Sequence, residues 1–219
     1  MTSHTPAIEI TELTLGFGAE VLCSDLTLSV PCGHKVMVCG RSGSGKSTFL
    51  KALLGFVRPL HGDIKIQGKA LHPDSVWTLR REMAYLAQEP DLGTGRVKDC
   101  VLRPFGYRMN RRCTPSDKRI DYWFERFFLS HDLQTKDISV LSGGQKQRVA
   151  FIIAILLERS IFLLDEPISA LDQFSKTAVA EYIHQIDDKT VLWVSHEASV
   201  YESAHQVVNL DHIRRGEVT

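Results

Sequence analysis

The sequence predicts an α/β fold in which an antiparallel β lobe and an inserted block of helices are attached to a mostly parallel core. Three observations predict it. A short apolar run, Lys35 to Cys39, leads into the glycine-rich turn Gly40-Arg41-Ser42-Gly43-Ser44-Gly45, and a helical pattern opens at Lys46. A second apolar run, Ile161 to Leu164, ends in two adjacent carboxylates, Asp165 and Glu166. Between these lies a stretch, Gln88 to Ser160, whose apolar spacing is helical rather than strand-like.

The elements follow in chain order. Ile8 to Leu15 and Val21 to Val30 alternate apolar and polar residues around Gly16, Phe17 and Gly18, which predicts an antiparallel pair joined by a glycine turn. Lys35 to Cys39 is the first core strand and Lys46 to Phe56 the helix after it. Asp63 to Gln67 and Met83 to Ala87 read as two further strands. In the helical block, Ile120, Phe124, Phe127 and Phe128 mark one amphipathic face. Thr114, Pro115 and Asp117 stand where a cap, a first-turn proline and a first-turn acid belong. The α/β pattern then resumes with strand Ile161 to Leu164, helix Ser175 to Ile186, strand Thr190 to Val194 and strand Gln206 to Leu210. The expected organisation is one domain over 1–219: a core with its β subdomain from 1–87 and 161–219, and a helical subdomain over 88–160.

Composition narrows the classes of partner. Lysine and arginine number 26 and aspartate and glutamate 26 among 219 residues, so no overall field recruits nucleic acid or anionic lipid, and no nucleic-acid partner is expected. The five cysteines, Cys23, Cys32, Cys39, Cys100 and Cys113, form no CxxC pair and read as reduced packing residues. The amino terminus lacks the basic and apolar regions of a signal peptide. The longest apolar run, Val149 to Leu157, is far short of the roughly 20 residues that span a bilayer. A membrane-associated partner stays compatible with all of this.

Three motifs carry chemistry. Gly40-Arg41-Ser42-Gly43-Ser44-Gly45-Lys46-Ser47-Thr48 fits G-x-x-x-x-G-K-[ST] after a strand and at a helix start. Glycines let successive amides point at phosphate oxygens, the helix terminus adds its dipole, Lys46 reaches the terminal phosphates and Ser47 ligates magnesium. This predicts ATP with Mg2+, held by a P-loop NTPase core. At the second motif, Asp165 is placed to hold magnesium through water and Glu166 to polarise an attacking water as general base. Alone, such a strand end is more often a strand running into solvent, and the phosphate loop reverses that preference. The third motif is Leu141-Ser142-Gly143-Gly144-Gln145, in which Ser142 and Gln145 have capping-box spacing and the glycines leave amides exposed. Two phosphate-binding helix starts in one chain exceed what one ATP needs within one lobe.

These motifs, in this order and over essentially the whole chain, resemble those of the ATP-binding-cassette (ABC) nucleotide-binding domains. The resemblance implies an ATPase acting as a head-to-tail dimer, in which LSGGQ of one copy closes over ATP held by the phosphate loop of the other. It assigns Gln88 to sensing magnesium, water and the transport partner, Asp172 to linking the two sites, His196 to the terminal phosphate, and Phe17 to stacking on adenine. Without the family, Gln88 reads as a strand-end polar residue, Asp172 as a helix cap and Phe17 as core packing.

The stretches Phe124 to Leu129, Thr135 to Ile138 and Val191 to His196 are similar in texture to the ATPases of Fet-type iron or metal exporters. That likeness implies the energising subunit of a transporter, working with a separate polytopic permease at the cytoplasmic face of the inner (plasma) membrane. The other readings are transport of another substrate and a soluble non-transport cassette ATPase. The segment Glu89 to Arg112, with Arg103, Arg108, Arg111 and Arg112, reads either as the permease contact or as a solvated basic loop.

Overall fold

The computed structural model describes residues 5–18, 20–195 and 204–213, the side chain of His212 excepted. Two sheets share the chain. The first runs β2-β1-β4-β5 and is antiparallel: β1 (Ile8–Phe17), β2 (Glu20–Val30), β4 (His61–Ile66) and the short β5 (Lys69–Ala70). The second runs β6-β7-β8-β3-β9 and is parallel: β3 (Lys35–Cys39), β6 (Met83–Leu86), β7 (Ile161–Asp165), β8 (Thr190–Val194) and β9 (Gln206–Asn209). The first pair is the antiparallel hairpin that the alternation predicts. Its strands reach further than expected, because Gly16 and Phe17 pair with Val21 and Glu20 instead of forming the turn.

The parallel strands have the continuous apolar runs expected of a sheet covered on both faces. Successive side chains go to opposite sides. Ile161 and Leu163 join Val36, Val38, Leu192 and Val194 in a core that includes the antiparallel sheet and α1 (Lys46–Leu53). Phe162 and Leu164 join Met37, Val191 and Trp193 in a second core, against α3 (Val97–Leu102), α4 (Asp117–Arg126), α5 (Gly143–Leu156) and α6 (Gln173–Gln185). Removing one fully buried ring such as Phe124 from this second core costs about 3–5 kcal/mol.

Several boundaries differ from expectation for identifiable reasons. Helix α1 stops before Phe56 because Gly55 adopts φ 70 and closes the end, its amide donating to Ala52 O and that of Phe56 to Lys51 O. A one-turn helix, α2 (Val76–Leu79), precedes β6. The cap of α4 is Ser116, whose hydroxyl accepts the Arg119 amide, while Thr114 bonds back to Arg111 O outside the helix. Phe128 leaves the predicted apolar face. It follows α4 at φ 54 and is 60% exposed, while Ile120, Phe124 and Phe127 are buried. Much of 88–160 consists of 3-10 turns and irregular chain around α3, α4 and α5.

The candidate nucleotide site

Strands β3, β6, β7 and β8 all end on the same edge of the parallel sheet, where ligands of open α/β sheets bind. A cleft of 630 Å³ lies there, lined by Phe17, the loop from Gly40, Gln88, Asp165 and Glu166. Leu22 of β2 forms part of its wall, and a Cβ on Gly45 would come within 2.9 Å of the Leu22 Cβ. Gly45 caps α1 at φ 93, and Gly43 turns at φ 76, conformations that a side chain strongly disfavours. The helix start thus borders the cleft, with the Leu22 side chain packed against Gly45.

Within the loop, the Lys46 ammonium donates to Gly40 O and Arg41 O, both at 2.9 Å. Ser47 Oγ donates to Asp165 Oδ1 at 3.1 Å. That bond joins the loop after β3 to the end of β7, although β8 lies between these strands. Asp165 is 3% exposed, and burial pushes its carboxyl above the usual range, with adjacent Glu166 adding to the effect while Ser47, Lys51 and Lys46 oppose it. Glu166 is buried at φ 49, and its amide donates to Val194 O at 3.0 Å. A glutamate held in that region stores about 1–3 kcal/mol of strain. Gln88 is exposed, just beyond the end of β6.

The other predicted residues lie differently. The Ser44 side chain is buried beneath the loop, and its amide donates to Arg41 O at 3.1 Å. Ser142 accepts the Gln145 amide while Gln145 Oε1 accepts the Ser142 amide at 2.9 Å, completing the capping box at the start of α5. Ser142, Gly143, Gly144 and Gln145 do not line the cleft, nor does Asp172, which caps α6 by accepting the Ser175 amide and hydroxyl. The Asp172 carboxyl is held below its ordinary value chiefly by the Ser175 amide. His196 lies outside the described residues.

Three further residues border the site without a signal in the sequence. The Tyr85 hydroxyl is pushed up to about 12 by burial and then by the Asp165 carboxylate, so it stays a neutral donor. Asp211, in α7 (Leu210–Ile213), accepts the Arg41 amide with both oxygens, at 2.9 and 3.2 Å. Gln147 bonds the turn after Glu166. No local pattern marks them, since each acts on a residue distant in sequence.

Chemically, the cleft offers an ammonium, a helix terminus, a paired hydroxyl and carboxylate, and a second carboxylate beside them. The hydroxyl, carboxylate and amide oxygens of Ser47, Asp165 and Gln88 are hard donors that fit Mg2+.

A family profile described as ABC transporter matches residues 23–169. The probable iron export ATP-binding protein FetA of Escherichia coli (strain K12) is 32% identical over 213 residues, which cover 96% of this chain and 93% of that relative. The lactococcin-A transport/processing ATP-binding protein LcnC of Lactococcus lactis subsp. lactis is 35% identical over 202 residues, and the match spans only 28% of its length. Among solved structures, a dimeric ATP-binding cassette in a post-hydrolysis state bound to ADP and Pi gives a TM-score of 0.78 at 25% identity, covering 92% of this chain and 93% of that one.

Proposed function

The chain belongs to the ABC transporter family as one of its ATP-hydrolysing ATPases, and from that premise we propose that it works as half of a head-to-tail pair driving a separate membrane permease. The observation that carries this reading is a division of parts. Lys46, Ser47, Asp165, Glu166 and Phe17 converge on one cleft, while the donor-rich start of α5 at Ser142 to Gln145 stands apart from it. A second copy supplies the missing helix terminus, and Asp172 lies close enough in sequence to Glu166 to link the two sites.

In this reading Phe17, 57% exposed at the end of β1, stacks on adenine. The amides of Gly43, Gly45, Lys46, Ser47 and Thr48 face the phosphates, and the ammonium of Lys46 exchanges two carbonyl acceptors for phosphate oxygens. Ser47 and Asp165, with Gln88, would hold a magnesium ion, which when bound neutralises charge on the terminal phosphates. Glu166 takes the proton of the attacking water, and His196 contacts the terminal phosphate.

The permease site in this proposal is a groove of 500 Å³ beside the cleft. Its wall combines Tyr85 and Pro90 from the β6 end with Leu92, Tyr107, Ala150 and Ile153 from the helical region. Gln88 sits on the same strand end that borders the nucleotide, which suits a sensor of both. Arg103 is not a loosely solvated cation, since it donates to Leu92 O and Thr94 O and shapes the groove edge. Among the described residues no helix is long and apolar enough to cross a bilayer. In this proposal attachment to the cytoplasmic face runs through the permease.

Iron or another metal is the cargo we propose, supported by the match to FetA along nearly its whole length and by the Fet-like stretches. Purifying the chain with its permease in liposomes and measuring ATP hydrolysis against metal concentration tests this. Stimulation by metal is the expected result, and stimulation by a peptide or small organic solute instead would refute it. Cross-linking Ser142 of one copy to the phosphate loop of another in the presence of ATP tests the pairing.

A further inference from the structure

Gln147 lies in α5 just past the LSGGQ stretch, and its side chain is 1% exposed. A buried amide must satisfy a donor end and an acceptor end. Both ends find partners in the same turn: Nε2 donates to Glu166 O at 2.7 Å, and Oε1 accepts the Ala170 amide at 3.3 Å. The bonds straddle the turn in which Glu166 holds φ 49, a region that residues with a Cβ avoid. The same carbonyl of Glu166 also accepts the Ser169 amide and hydroxyl, at 3.3 and 3.1 Å. One turn earlier in α5, Gly144 packs so closely that a Cβ there would lie 2.7 Å from Ala170 O. The first turns of α5 therefore touch the segment from Glu166 to Ala170 at two points.

We infer that Gln147 is a positioning residue for hydrolysis, tying the helix that opens at the LSGGQ stretch to the backbone of Glu166 so that helix and carboxylate move together. The inference rests on the reading of Glu166 as general base. Its physical content is that Gln147 never meets nucleotide, yet sets the angle from which the Glu166 carboxylate meets the attacking water. A misplacement approaching 1 Å at a reacting group lowers rate by roughly 100-fold.

The test is a double-mutant cycle on the full chain with its permease. Gln147→Leu should lower kcat roughly 10- to 100-fold and leave the KM for ATP within about twofold. On a Glu166→Gln background the same change should alter the residual rate by less than about twofold, because the group it positions is already disabled. In Gln147→Glu, the protonated side chain restores the donor and the ionised one removes it, so kcat relative to the unmodified protein should rise as pH falls. If Gln147→Leu does not fold, Gln147→Met, with its unbranched side chain, serves in the same cycle. Equal losses in both backgrounds, or a raised KM with kcat intact, would overturn the inference alone. Full turnover by Glu166→Gln would overturn the base reading and this inference with it.

Discussion

The adjacent glycines Gly143 and Gly144 should respond in opposite ways to the same substitution. Both lie in the first turn of α5, where alanine in place of glycine gains up to about 1 kcal/mol in helix propensity. At Gly143 a Cβ meets no atom within 4 Å, so Gly143→Ala should keep most of that gain. At Gly144 a Cβ falls 2.7 Å from the Ala170 carbonyl oxygen, about 0.7 Å inside the 3.4 Å at which ordinary contact begins. Backbone must then move on one side. Overpacking of this kind costs typically about 1–3 kcal/mol, and taking the middle of that range leaves Gly144→Ala destabilised by about 1 kcal/mol. The two variants should differ by about 2 kcal/mol, roughly 4–8 °C in Tm for a chain of this size. Urea unfolding of the dilute chain without nucleotide measures the difference free of any partner. Equal stability of the two variants, or a gain for Gly144→Ala, would refute the close approach of α5 to the turn after Glu166.

Other outcomes follow from the site. Glu166→Gln should bind ATP and accumulate an ATP-bound dimer on size exclusion, with turnover reduced roughly 100- to 10,000-fold; wild-type turnover would remove Glu166 from the base role. Lys46→Ala should weaken ATP binding by calorimetry, and unchanged affinity would show that the ammonium stays on the loop carbonyls. Asp165→Asn should raise Tm without nucleotide while abolishing magnesium-dependent hydrolysis. The sign follows from the raised carboxyl: the folded protein favours the protonated form, so the burial cost is absent at low pH and fully present above the raised value. The stability advantage of Asp165→Asn should therefore grow as pH rises out of the ordinary carboxylate range, and a pH-independent difference would contradict it. Ser142→Arg should abolish ATPase activity at concentrations where the unmodified chain pairs, and full activity would contradict a shared site.

What could be read from the chain was local. The strand before Gly40, the loop itself, the carboxylates at Asp165 and Glu166, and the capping box at Ser142 are each contiguous, and their residue types are dictated by backbone conformation and hydrogen bonding within a few positions. Where expectation strayed, packing had intervened. Phe128 has the spacing of an apolar face, but α4 ends at Arg126 and the chain turns to φ 54, which carries the ring outward. The cap fell on Ser116 because its hydroxyl reaches the Arg119 amide, a choice that the neighbouring Thr114 and Pro115 obscure in the sequence.

By itself, then, the sequence determined the glycine-rich loop motif, the order of the strands along the chain and the residues proposed to hold and activate ATP, since motif chemistry depends on near neighbours. Only the tertiary structure decided which of them meet. Ser47 reaches Asp165 across 118 positions and Asp211 reaches the loop across 170, through a strand order that no local pattern encodes. The same packing leaves Ser142 to Gln145 away from the cleft, because α5 is bound by Gln147 and Gly144 to the turn behind Glu166 and its amino terminus is thereby held clear of its own phosphate loop.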